Sequence, residues 1–124
     1  MAAELHVELV AADRQVWSGE ATLVVARTTS GDIGVMAGHQ PLLGVLESGP
    51  VTIRTSDGGT VVAAVHGGFI SFADNKMSLL AETAELSDEI DVQRAERKLE
   101  RAKAEGDASA ERRADVRLRA VATR

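Results

Sequence analysis

The stretch Thr60–Glu82, TVVAAVHGGFISFADNKMSLLAE, decides the fold. Two runs rich in Val, Leu, Ile and Phe flank the tetrapeptide ADNK, whose Asp and Asn tolerate the left-handed backbone of a tight turn. The same pattern extends towards the N-terminus. LHVELVA alternates apolar and polar residues, ATLVVARTT is rich in β-branched residues, and PLLGVLESG and PVTIRTS follow. The turn signals SGD, SGP and SDGGT separate these runs, and SDGGT (Ser56–Thr60) carries the Asp-Gly and Gly-Gly pairs of a hairpin. Short strands at regular spacing with no helical segment between them predict an antiparallel β-sandwich or barrel over an aliphatic core.

The pattern changes near Glu85. Residues 1–84 hold nine acids and four bases, whereas residues 85–124 hold ten of each, so about half of the tail is charged. Its period also becomes helical. Val92, Ala95, Leu99 and Ala102 form one narrow apolar stripe, and Ala110, Ala114, Leu118 and Val121 form a second. Ser87 is the expected N-cap of the first helix, with Asp88, Glu89 and Asp91 near the positive end of its dipole. Gly106 suits its C-terminus, and Asp107 suits the cap of the next helix. The expectation is a weakly held, mobile α-helical hairpin laced with surface ion pairs, over residues 85–124.

Composition excludes several classes of function. The net charge of −5 gives no general attraction to nucleic acid. There is no cysteine, hence no disulfide and no thiolate metal site. No apolar run approaches membrane-spanning length, and the first residues, MAAELHVELV, lack the basic and apolar blocks of a leader, so a cytoplasmic protein is expected. His6, His39 and His66 have no metal-ligand spacing, and no GxSxG elbow surrounds any serine. The carboxylates are scattered, which leaves a hydrolase without a motif. With two Phe, one Trp and no Tyr, a stacking shelf for sugars or bases has little to be built from. This weakens the competing reading of a stand-alone β-sandwich ligand-binding module.

SGDIGVMAGHQPLLGVLESG (Ser30–Gly49) has the glycine density of a phosphate cradle but not the spacing, since Gly31, Gly34 and Gly38 read GxxGxxxG and no helix start follows. It reads instead as a turn, a short strand from Ile33 to Met36, and a second turn at Gly38-His39. Pro41 then fixes φ before the next strand. His39 is expected to hydrogen-bond nearby backbone. Loops of this kind often present a surface to a partner.

These segments together resemble the epsilon subunit family of F-type ATP synthases. SGDIGVMAGHQPLL is similar to its loop G-[ED]-[IL]-G-[IV]-x-P-G-H-x-P-L-L, with Ala37 where the family usually has Pro. GGFISFADNKMSLLAETAE, EIDVQRAERKLERA and HVELVAADRQVWSGEA are similar, in order, to its glycine-paired strand, the start of its C-terminal helix and its opening strand. The resemblance implies an N-terminal β-sandwich of about ten strands (residues 1–84) and a regulatory two-helix domain (residues 85–124). It implies a non-catalytic, metal-free rotor subunit peripheral to the cytoplasmic face of the cell membrane. That subunit binds the gamma subunit and the c-ring, and reaches the alpha/beta head when its helices extend to inhibit hydrolysis. Gly31, Asp32, Ile33, Gly34 and His39 fall on the family's interface with gamma and the c-ring. Ile90–Ala95, IDVQRA, matches the motif with which some relatives bind regulatory ATP. On that reading Glu85, Asp91, Arg94, Ala95, Arg101, Arg113 and Arg117 are candidate ATP-binding residues, and no other cofactor is implied.

Overall fold

The alternating runs become strands in the computed structural model, which describes residues 3–123. In chain order they are β1 (Leu5–Ala11), β2 (Gln15–Thr28), β3 (Gly31–Val35), β4 (Leu42–Leu46), β5 (Gly49–Thr55), β6 (Thr60–Ala73) and β7 (Lys76–Leu86). A 3-10 turn (Ser87–Glu89) leads into the helices α1 (Val92–Glu105) and α2 (Ala108–Thr123).

The seven strands make two facing layers. One runs β4–β6–β7–β1–β2, and the other β3–β2–β5–β6–β7. β2, β6 and β7 serve both, so five segments per layer come from seven continuous strands rather than about ten separate ones. One pairing departs from the antiparallel expectation: β1 runs parallel to β7, from His6 opposite Lys76 to Ala11 opposite Ala81. These two strands are joined through the whole intervening sandwich, so no tight hairpin dictates their direction.

The crossing between layers is built at Gly67 and Gly68. Before it, Ala63 and Val65 point into the core; after it, Ile70 and Phe72 do. The inward face changes from odd to even numbers, because both glycines have positive φ (71° and 132°). A Cβ on Gly68 would lie 2.0 Å from the Leu80 carbonyl oxygen. β7 changes phase opposite the corner, with Met77, Leu79 and Ala81 inward before it and Ala84 after it. The β6–β7 turn is type I′, with Asp74 and Asn75 at φ 51° and 58°. The SDGGT turn closes on Asp57, whose carboxylate accepts from Thr55 Oγ1 and, at 3.0 Å, from Gly59 N.

Ser87 does not cap α1. It lies buried in the 3-10 turn, and Asp91 caps the helix by accepting from Arg94 N at 3.0 Å. Ile90, which follows the 3-10 turn and precedes Asp91, is extended and buried beneath α2, and this resets the helix start. At the other end Gly106 adopts φ 69°, and Asp107 Oδ1 accepts from Ala110 N at 3.1 Å, as expected.

α2 uses two faces. Ala114 continues the stripe towards α1, while Val116 and Ala120 join Val62, Ala64 and Ile90 in a small second core on the outer face of the β5–β6 layer. Of the second sequence stripe Val121 also packs against this core, whereas Val116 and Ala120 lie outside that stripe. α1 packs chiefly on α2. The hairpin is therefore docked, through one helix and a patch of small side chains.

Candidate functional site

The hairpin covers one outer face of the sandwich and leaves the other bare. On the bare face Val45 stands opposite Phe69, and Phe69 opposite Leu80. Leu43 extends the set along β4. These four side chains are 47%, 57%, 50% and 79% exposed, respectively. A contiguous exposed apolar row on a sheet marks a surface that another molecule covers. Sequence reasoning did not select these residues. The available signal was GFISF: on an alternating strand Phe69 and Phe72 cannot share a face, so one aromatic must point outward. Phe72 is 1% exposed and fills the core.

The residues expected at the gamma and c-ring interface lie on and beyond β3. Gly31, with φ 113°, opens the strand, and Asp32 follows it exposed, its Oδ1 accepting from Arg27 Nε at 3.1 Å on the paired strand. Ile33 is half-buried against the main core, and Gly34 faces Val25 of β2. His39 lies beyond the far end of β3, so Asp32 and His39 mark opposite ends of that strand. His39 Nδ1 lies 2.7 Å from the Gln40 carbonyl oxygen, the nearby-backbone bond expected of it, and its ring meets Phe72 edge-on at 6.0 Å.

Met36–His39 forms a turn closed by His39 N donating to Met36 O at 3.2 Å. Gly38, third in that turn, has φ 84°, the signature of type II. Gly38 N donates to Asn75 Oδ1 at 2.7 Å, which ties this loop to the β6–β7 turn.

The candidate ATP residues divide. Glu85, Asp91, Arg94, Ala95 and Arg117 gather around a cleft of about 190 Å³, together with Glu89, Ile90 and Lys98. Within it Arg117 Nε bonds the Glu85 carboxylate, and both side chains are partly buried. Asp91 is committed to its cap, and Ala95 is 2% exposed. Hydrogen bonding from Leu86 N and from Arg14 holds the Glu89 carboxyl below its usual range. Arg101 is not in this cleft; it lies further along the outside of α1 with Arg94, Arg97 and Lys98. Arg113 is also outside it, exposed on α2. The docked cleft offers Arg94, Lys98 and Arg117 to an anion but is smaller than the ~300–1,000 Å³ typical of small-molecule pockets. Among the described residues no group of His, Asp and Glu is arranged to hold a metal ion, and no helix is long and apolar enough to cross a membrane.

A two-layer β body bearing a C-terminal helical hairpin, with one face bare and apolar, defines a sandwich subunit built for assembly. The family model described as the β-sandwich domain of the ATP synthase delta/epsilon chain matches residues 4–87. The ATP synthase epsilon chain of Streptomyces avermitilis is 92% identical over 124 residues, covering the whole of both chains. That of Rhodococcus jostii is 57% identical over 94 residues, 75% of this chain and 77% of the other. A chain in the cryo-EM structure of the Euglena gracilis mitochondrial ATP synthase (OSCP, F1 and c-ring) superposes with a TM-score of 0.75 at 22% identity, over 94% of this chain and 76% of that one. The chain belongs to the ATP synthase epsilon chain family.

The type II turn at Met36–His39 generates a stability prediction. Proline is favoured at its second position, occupied here by Ala37. Ala37→Pro is expected to raise unfolding stability by about 0.4–1 kcal/mol, through reduced freedom of the unfolded chain. Urea unfolding of the full chain checks this, and a lower midpoint would show that the turn rejects proline.

Proposed function

We propose that this chain is a non-catalytic subunit of the rotor stalk, coupling proton-driven rotation to ATP synthesis at the cytoplasmic face of the cell membrane. Its sandwich, residues 1–84, docks on the gamma subunit and rests on the c-ring. Its helical domain, residues 85–124, restrains ATP hydrolysis by extending into the alpha/beta head. The observation that carries the reading is the bare row of Leu43, Val45, Phe69 and Leu80 on a body whose other face is already occupied. Burial of such a row is the main driving force for a lasting subunit contact, while the charged rim sets orientation.

Asp32 and His39, at the two ends of β3, suit contacts with two neighbours rather than one. Gly31, Ile33 and Gly34 shape the strand between them. Asp32 is already paired with Arg27, so its charge gives orientation more than affinity. In the extended hairpin Arg112, Arg113, Arg117 and Arg119 would face acidic surfaces of the head once Arg117 leaves Glu85, while Arg119 carries its i,i+4 partner Asp115 with it. Regulatory ATP would bind the docked hairpin with its phosphates at Arg94, Lys98 and Arg117, and Ala95 leaves room beside them. The small cleft would have to widen, and the Glu85–Arg117 pair would have to part.

Three measurements test these elements. Phe69→Ser together with Leu80→Ser should leave the chain folded but weaken its binding to the gamma subunit by about 30-fold or more, the effect of losing a hot spot worth ~2 kcal/mol. Unchanged affinity would place the contact elsewhere. Removing residues 86–124 should raise the ATPase activity of the assembled enzyme, and an unchanged rate would remove the brake. Calorimetry of the full chain with Mg-free ATP should show binding that Arg94→Ala weakens, and no heat at millimolar ATP would remove the nucleotide site.

A further inference from the structure

His66 stands just before the Gly67–Gly68 corner, on the outward face of β6. It shares that face with Val62 and Ala64, which lie in the small core under α2. It is 6% exposed, and neither ring nitrogen has a hydrogen-bond partner among the described residues. A buried imidazole in this condition is costly, because water would satisfy both nitrogens.

Two arginines and one glutamate act on it across the α2 and β7 packing. α2 brings Arg117 and Arg113 towards it, and β7 brings Glu85, which Arg117 already engages. β5 brings Pro50 and Thr52 alongside, opposite Ala64 and Val62, and neither titrates. β7 also brings Glu82, whose carboxylate carbon would lie 3.6 Å from a Cβ on Gly67, and beyond Gly67 a cleft is lined by Arg27, Glu47, Arg112, Asp115 and Arg119. Of these, Asp115 is paired with Arg119.

We propose that docking of the helical hairpin is proton-linked through His66: α2 closes over a neutral imidazole, and protonation of that imidazole releases the hairpin. The docked geometry offers no acceptor to either N–H of a protonated ring, and α2 carries Arg117 and Arg113, whose charges oppose that protonation. Undocking returns the ring to water and frees Arg113 and Arg117 from it. Burial first, and then Arg117, depress the affinity of His66 for a proton in the docked form, with Glu85 opposing them.

The sign follows from linkage. The docked form binds fewer protons, so docking is strongest above the ordinary histidine value of about 6.5 and weakens as pH falls below it. One proton limits the slope to about tenfold per pH unit. Acidification would therefore favour the extended hairpin. The consequence for hydrolysis rests on the function proposed above, whereas the linkage concerns this chain alone.

Hydrogen exchange of the α2 amides in the full chain, corrected for intrinsic rates, gives the opening constant between pH 7.5 and 5.5. It should rise as pH falls, by up to about tenfold per unit, and stay flat in His66→Gln and His66→Asn. A flat profile in the unaltered chain, or the same slope in the variants, would overturn the proposal. Should neither variant fold, NMR titration of the unaltered chain decides the matter. A His66 midpoint below the ordinary value supports the linkage, and one at or above it refutes it. Because neither readout involves ATPase activity, a failure of the brake reading and a failure of this one are told apart.

Discussion

The structure depends on one corner. At Gly67–Gly68 a single strand leaves one layer and enters the other, and its backbone passes so close to Leu80 that no side chain fits on Gly68. The corner reverses which residues face inward. On one side it puts Val62, Ala64 and His66 on the outer surface, where α2 covers them; on the other it puts Phe69 outside, where none of the described residues covers it. A flat strand through the same residues would present one continuous outer face, with no division between a surface for the hairpin and a surface for a neighbour. The split between assembly and regulation proposed here is thus a consequence of two positive φ angles.

The two faces differ in how they are held. The bare face presents large side chains, which gain most from burial against a partner. The hairpin face is made of valine, alanine and one isoleucine, with an uncompensated imidazole at its edge. Small contact groups and a buried polar cost suit a docking free energy that small changes can reverse. The Glu85–Arg117 pair joins both parts of the chain and lines the cleft where an anionic ligand would compete for the arginine.

Much of the architecture was legible in the sequence because it is written locally. ADNK and SDGGT form tight turns on the residues that permit positive φ, and Gly106 with Asp107 ends one helix and caps the next. The facing of residues along β6 was not legible, since alternation alone does not say where it changes phase. The start of α1 was misplaced because Ser87 has the chemistry of a cap, whereas the burial of Ile90 is a tertiary effect that no cap pattern reveals. The candidate nucleotide residues were only partly brought together. Helical spacing placed Arg94 and Arg101 on one helix, but the docking angle of α2 decides that Arg117 reaches the cleft and Arg113 does not. The apolar row escaped notice because Leu43, Val45, Phe69 and Leu80 come from three strands and become neighbours only through register.

The central claim is that the face carrying Phe69 and Leu80 is the one the assembled complex covers. It can be tested with a reporter thiol, since the chain has no cysteine of its own. Leu80→Cys should react readily with a maleimide in the isolated chain and become protected in the assembled ATP synthase. Equal reactivity in the two, in a complex shown to contain the chain, would contradict the account.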